Sequence, residues 1–324
     1  MEVVVWVGRL FLVPLKDSLF EGVLSKFSPK LQGHRCNNYK CKTRRTLPHS
    51  FHPIFNTGRG NACCSLREQA CSLFCAVANL SQVNTSHMLE LNHKVGERIS
   101  VAYDQCRLKY VEATEKKIRF GEGQAWKDLE ADEVDLGKGL LPVQDTDKVV
   151  AWEQWGGIVE RGNPKSLLLQ RLNPAKTKKR APGPGPIRKR DWKPMTKKWI
   201  KDRKVILHTD GARSYKMVVD GVIHDNVVHA KKKKVINGKT VWLKPHYTKV
   251  VKHKLPGGRS LKVKAGTQII DRAWRHVRSF LTGRSGKVSS VQLRRRIRSA
   301  QWEYWNRGED MWLKAGEMIQ YLLK

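Results

Sequence analysis

Apolar positions follow two different rhythms along the chain. Before about residue 120 they recur every three or four positions. Ser65–Ala78 sets Leu66, Ala70, Leu73, Phe74 and Val77 on one stripe, which predicts an amphipathic helix. Cys71 and Cys75 lie near that stripe as small core residues. Ser81–Lys116 continues with Val83, Met88, Leu89, Leu91, Val95, Ile99, Val101 and Tyr103, and Asn92–Gly96 predicts a turn between two helices. A helix-turn-helix and a plain helical bundle satisfy this pattern equally well.

From Leu129 the rhythm changes to short apolar runs between turn residues. Val149–Trp155, Gly157–Val159, Ser166–Leu172, Val205–Leu207 and Val227–Val228 read as strands. Pro174–Arg190 is a Pro/Gly/Lys loop with no core-forming period, and Met195–Arg203 reads as a short helix. Val235-Ile236-Asn237-Gly238-Lys239-Thr240-Val241-Trp242 predicts a hairpin, because Asn-Gly accepts the backbone of a two-residue turn. Val250–Leu261 offers a second strand pair around Pro256-Gly257-Gly258. Ile269–Leu281, Ser290–Trp305 and Gly308–Leu323 read as helices. In the second of these, Leu293, Ile297 and Ala300 would face a core while Arg294, Arg295, Arg296 and Arg298 reach outward.

The fold class that follows is α/β, with a small helical amino-terminal domain. The expected organisation is a leader over 1–30, a degenerate zinc-ribbon-like segment over 31–60, and helices over 61–122. An α/β domain then spans 125–324, with a basic loop at 174–194 and a basic hairpin insertion at 230–266.

Charge changes the picture most. The 324 residues hold 63 Lys plus Arg against 29 Asp plus Glu, a formal net charge of +34. Such a charge attracts polyanions, and nucleic acid is the first candidate, since cationic side chains displace counterions from phosphates. Ala230–Lys264 contains no acidic residue at all. Lysines there could simply protect a sheet edge, but charge of one sign favours a DNA-facing role. The residues assigned to DNA are Lys231, Lys232, Lys233, Lys234, Lys239, Arg272, Arg294, Arg295 and Arg298. Lys176–Arg190 carries two basic clusters that serve a nuclear address or DNA contact. The expected location is nuclear, or nucleoid-associated in a source without a nucleus.

A membrane is not the expected partner. Val3–Leu15 is interrupted by Arg9 and falls short of the ~20 residues that span a bilayer. The seven cysteines all lie at or before Cys106, and a disulfide framework is not expected in a chain this long with no export signal. Cys36 and Cys41 make at most half of a zinc ribbon, which needs four ligands. His49, His52, Cys63 and Cys64 follow at irregular spacing, and ordinary reduced thiols explain the cysteines better.

Three acids stand where phosphodiester chemistry would need them. Two divalent ions about 3.5–4 Å apart stabilise attacking and leaving oxygens in such reactions. Carboxylates from separate rigid elements can hold them. Asp132 lies in the acid-rich strand start Leu129–Gly137, Asp210 ends the apolar run Val205–Thr209, and Asp271 opens a helix after Gly266. Singly, each has a bland role: Asp-Gly makes turns, and Asp complements a helix N-terminus.

Taken together, these segments resemble the ISXO-like insertion-sequence transposases of the DDE superfamily. The resemblance rests on Ala131-Asp132-Glu133-Val134-Asp135-Leu136-Gly137-Lys138, Gly157-Ile158-Val159-Glu160-Arg161-Gly162, His208-Thr209-Asp210-Gly211 through Tyr215, His224–His229, and Ile270-Asp271-Arg272-Ala273-Trp274. It covers roughly residues 125–310. Asp271 stands where the family usually has Glu, and the basic stretch Ala230–Lys264 enlarges the usual core. The resemblance implies an RNase H-like mixed sheet flanked by helices, with Asp132, Asp210 and Asp271 as catalytic carboxylates holding two Mg²⁺ or Mn²⁺. It implies cleavage at transposon ends, then attack of the freed 3′-hydroxyl on target DNA. It also implies a homodimer or higher multimer in synapsis. His208, Arg213 and Tyr215 would position phosphate or serve structure. The competing readings are an inactive, transposase-derived DNA-binding protein, and an RNA-associated basic protein whose three aspartates lie far apart.

Overall fold

The computed structural model describes residues 33–35, 44–46, 66–80, 93–140, 149–228, 232–236, 239–243, 245–282 and 290–322. The leader over 1–30 lies outside them. So do Cys36, Cys41, His49, His52, Cys63, Cys64, Lys231 and the first half of the expected helix-turn-helix at 81–92. The chain divides into two compact units, Met1–Tyr110 with Asp310–Lys324, and Val111–Glu309.

In the first unit, β1 (Gly33–Arg35) and β2 (Arg44–Thr46) pair antiparallel. α1 (Leu66–Val77) buries Cys71, Leu73, Cys75, Ala76 and Val77. α2 (His93–Glu115) is helical straight through Gly96, so the turn expected over Asn92–Gly96 does not form from His93 on. A glycine costs a helix only ~1 kcal/mol. Burying Ile99, Tyr103 and Cys106 on one face outweighs that. Burial pushes the Cys106 thiol up to about 12, which leaves it inert at neutral pH. The chain's last helix, Met311–Tyr321, belongs here too, with Trp312 stacked on Phe74 at 5.1 Å.

The second unit is an α/β body built on one mixed sheet. Its strands are β3 (Lys127–Leu140), β4 (Val149–Glu160), β5 (Asn163–Arg171), β6 (Ala175–Lys178), β7 (Val205–Thr209) and β8 (Val222–Asn226). The strand order is β5-β4-β3-β7-β8, with β6 pairing the outer part of β4. β3, β4 and β5 form an antiparallel meander, while β7 and β8 run parallel to β3. The two apolar runs at 149–155 and 157–159 are one continuous strand. Gly156 and Gly157 interrupt the side chains there, not the backbone.

Part of the basic loop is ordered. Ala175–Lys178 forms β6, because Ala175 is buried beside Val150 and Trp152. α3 runs over Lys189–Trp199, starting before the expected Met195. Trp192, Met195 and Trp199 make the buried stripe that decides this, with Pro194 tolerated inside. They pack on one sheet face against Leu129, Ala131, Ile158, Leu168, Val205 and Leu207. The opposite face carries α4 (Gln268–Leu281) over β3 and β4, and α5 (Val291–Trp305) over β5. α6 (Met311–Tyr321) follows, capped by Asp310.

Both hairpins of the basic insertion are present. β9 (Lys232–Ile236) and β10 (Lys239–Leu243) pair antiparallel with Ile236 opposite Lys239, and the expected turn residues Asn237-Gly238 lie outside the described residues. β11 (Lys249–Lys254) and β12 (Ser260–Ala265) form the second. Among the described residues, no helix is long and apolar enough to cross a membrane.

Candidate active site

The register of β3 and β7 brings two aspartates side by side. Leu129 pairs with Leu207 and Glu130 with His208 across the parallel ladder. Two residues further along, Asp132 and Asp210 fall at the same level. Strand side chains alternate, so Asp132 points to the face opposite α3. Asp210 sits just past the end of β7, where its Oδ1 accepts the Ala212 N–H at 2.8 Å.

Helix α4 brings the third. Gly157 pairs with Asp132 across β3 and β4. A Cβ on Gly157 would stand 2.7 Å from Trp274 Cζ2 and 2.9 Å from Ile270 Cδ1. The bare glycine therefore lets α4 cross the sheet directly beside Asp132. Thr267, the residue before the helix, makes no side-chain cap. Glu130 caps it instead: its Oε2 accepts the Ile269 N–H at 2.6 Å and the Ile270 N–H at 3.0 Å. A carboxylate suits that position, because the free N–H groups and the helix dipole favour negative charge. Asp271 lies in the same first turn, 3.3 Å from Thr267 Oγ1.

The electrostatics reflect the convergence. The Asp132 carboxyl is held well above the usual carboxylate range. Desolvation is the largest cause, although part of the residue still reaches solvent. The charges of Glu133, Asp271 and Asp210 follow, and only the Glu133 backbone N–H opposes them. The three side chains that raise the Asp132 pKa are all carboxylates. Carboxylate oxygens are the donor type that a hard divalent cation such as Mg²⁺ or Mn²⁺ takes. The spacing is not closed around one: among the described residues, no group of three His, Cys, Asp or Glu stands ready to hold a metal.

Glu133 points to the other face. It accepts hydrogen bonds from the Tyr215 hydroxyl and from the Ile187 N–H at 2.8 Å. Burial raises its pKa, against those two bonds. It thereby fastens the turn after Asp210 to the loop before α3. Tyr215, fully buried, is structural, and so is His208. His208 Nδ1 lies 2.7 Å from Asp225 Oδ1, and Asp225 Oδ2 lies 2.8 Å from His253 Nε2 on β11. Burial works to lower the His208 pKa, but Asp128 and Asp225 outweigh it and the net shift is upward. Asp225 contributes more than Asp128, whose carboxylate is 3.7 Å from Nε2 and beyond a proper hydrogen bond. Arg213 is exposed.

The basic residues assigned to DNA separate into groups. Lys233, Lys234 and Arg272 are exposed, and Lys232 and Lys239 lie on the β9–β10 hairpin. Arg294 is exposed and paired with Glu112, and Arg295 is half-buried. Arg298 does not reach outward. It is buried, with Nη1 2.7 Å from Glu115 Oε1, 2.6 Å from Gln301 Oε1 and 3.1 Å from the Leu169 carbonyl. The guanidinium turns inward because Glu115 would otherwise be a buried charge without a cation.

Sequence reasoning gave no role to Glu130, Arg161 or Gly157. Glu130 had a signal: it is two residues from Asp132, hence on the same strand face. Arg161 and Gly157 stood only within the segment Gly157–Gly162, with no contact foreseen. Arg161 Nε donates to Glu130 Oε1 at 2.7 Å, and Nη2 donates to the Gly266 carbonyl at 2.9 Å, across more than a hundred residues of chain.

No family model, no curated protein and no solved structure matches this chain.

Proposed function

We propose that the chain is a DDE transposase-like protein with an RNase H-like core, acting on DNA by metal-dependent strand cleavage and transfer. The observation that supports this reading is that Asp132 on β3 stands level with Asp210 just past the end of the adjacent parallel strand β7, and that both Asp210 and Asp271 of α4 raise its pKa. Acids on a first strand, at the end of a later strand and on a following helix are what the reading requires. Two bound ions would supply activation of the attacking oxygen and stabilisation of the leaving one.

The chain's own residues have separable tasks. Asp132 and Asp210 provide carboxylate oxygens from a rigid sheet. Asp271 adds a third from α4, whose position is set by Glu130 and Gly157. Glu133, through Tyr215, holds the turn that carries Asp210. Preorganisation of this kind supports catalysis, because the groups need no rearrangement when charge develops. The DNA itself would meet the basic insertion, with two ends brought together by a homodimer or larger assembly. A nuclear or nucleoid setting suits that substrate.

The test is strand transfer with Mg²⁺ or Mn²⁺ on DNA carrying the element's ends. Asp132→Asn, Asp210→Asn and Asp271→Asn should each reduce it at least ~100-fold, as for removal of a principal charge-stabilising group. Asp132→Asn should not lower the melting temperature of the metal-free protein, since it removes a buried charge among like charges. Activity surviving all three changes would overturn the reading.

A second reading is an inactive, transposase-derived DNA-binding protein. That no group of three His, Cys, Asp or Glu among the described residues could hold a metal favours it. It expects salt-sensitive DNA binding and no metal-dependent cleavage by the unaltered chain.

A further inference from the structure

β11 and β12 form a two-stranded ribbon with two unlike faces. One face is anchored. Val263 and Ala265 are buried, Val251 and His253 are half-buried, and His253 bonds Asp225 on β8. The other face is bare. Lys252 pairs directly with Lys262, Val250 with Lys264, and Lys254 with Ser260, and all six are exposed.

Like charges directly opposite on a ladder destabilise it, because the paired Cβ atoms stand only ~5 Å apart. Lys252 and Lys254 lie two residues apart on one strand, and Lys262 and Lys264 likewise on the other. That sets each pair ~7 Å apart along the ribbon. No acid occurs anywhere in Ala230–Lys264 to offset them. The ribbon keeps this arrangement at a cost in stability, which a polyanion would relieve.

We propose that this lysine face docks the phosphate backbone of duplex DNA, with the ribbon lying along the major groove. The partner class rests on the nucleic-acid part of the reading above, not on its chemistry. Lysines are point charges without the planar fork that reads base edges, so they suit phosphates. A two-stranded ribbon fits the wide major groove of B-form DNA, whereas the A-form groove of duplex RNA is deep and narrow.

The docked backbone would be held in register with the carboxylates. Arg161 donates from Nη1 to the Lys264 carbonyl at 2.5 Å and from Nη2 to the Gly266 carbonyl, while its Nε grips Glu130. Glu130 also holds the first turn of α4. The foot of the ribbon and the foot of the helix bearing Asp271 therefore share one ion-paired node.

The experiment is a salt titration of binding to a short random-sequence DNA duplex, followed by fluorescence anisotropy with EDTA present. The full chain is compared with a Lys252→Gln, Lys254→Gln, Lys262→Gln, Lys264→Gln variant. Each phosphate contact contributes about 0.9 to the slope of log affinity against log salt, so the slope should shrink by roughly 3 to 4. Affinity at low salt should fall more than ~10-fold. Should the fourfold variant misfold, Lys252→Gln, Lys262→Gln is used, with a slope change of roughly 2. An unchanged slope in a folded variant overturns the proposal. So does a preference for duplex RNA, or binding to phosphatidylserine vesicles in place of DNA. No cleavage enters the readout. A chain that cleaves DNA yet keeps its slope in the variant sinks the ribbon proposal alone. A chain that loses its slope in the variant but never cleaves sinks only the strand-transfer reading.

Discussion

Gly157 shows how much one residue can decide. Its missing side chain leaves room for Trp274 and Ile270 to rest on β4 opposite Asp132. In the sequence it reads as part of a strand interrupted by glycine, with no sign of what lies over it. Gly157→Ala puts a methyl group 2.7 Å from the Trp274 ring, which must shift. We expect a loss of about 1–3 kcal/mol from overpacking, read as a lower urea midpoint. Strand transfer should fall further than stability, since the displaced helix bears Asp271. A variant as stable as the parent would show that α4 does not need this close approach. Arg298 makes the complementary point. Its sequence neighbours suggest an outward basic cluster, yet Glu115, 183 residues away, draws it inside.

Elements here are joined by single polar nodes. α4 takes its N-terminal cap from a strand far away in sequence, through Glu130, and Arg161 links the same carboxylate to β12. Arg161→Met would leave the buried Glu130 with only its two amide donors. Leaving such a group short of a partner costs about 1–3 kcal/mol. Amide hydrogen exchange should quicken across β11–β12 and at Ile269 and Ile270, with α3 unaffected. Arg161→Lys should restore little, because an ammonium cannot serve three acceptors in one plane. Uniform exchange across the body would refute this linkage. The strand pairs themselves were legible, since Asn-Gly and Gly-Gly are local hairpin signals in the sequence. β6 and the true start of α3 were not. Their residues look like a basic loop until Ala175 meets Trp152, and Trp192 meets the sheet.

Across the whole second unit, buried charges set opposing pH dependences. Asp225 is held below its ordinary 3.8: burial works upward, but the bonds from His208 and His253 prevail. Its contribution is present above about pH 4 and is lost as pH falls through its folded value. His208 is shifted up from 6.5, so its contribution is complete below that and fades as pH rises through the folded value. Asp132, also raised, costs stability once pH exceeds the ordinary carboxylate range. The metal-free protein should therefore melt highest in mild acid, between the ordinary Asp and His values. Asp225→Asn should flatten both flanks in a calorimetric pH series. An identical profile in the variant would mean that the His208–Asp225–His253 chain carries no net stability.

The sequence by itself determined what is local: helices from a 3.6-residue stripe, strands from apolar runs, hairpins from Asn-Gly and Gly-Gly, and a net charge of +34. It also nominated Asp132, Asp210 and Asp271, because strand ends and helix starts can be read from neighbouring residues. Tertiary structure alone decided which charges meet. The parallel register of β3 and β7 levels Asp132 with Asp210, and the bare Cα of Gly157 admits α4. Glu130 and Arg161 then fix where Asp271 and the lysine ribbon stand. These are contacts between residues far apart in the chain. No local spacing encodes them, since they arise only when separate elements bury their faces together.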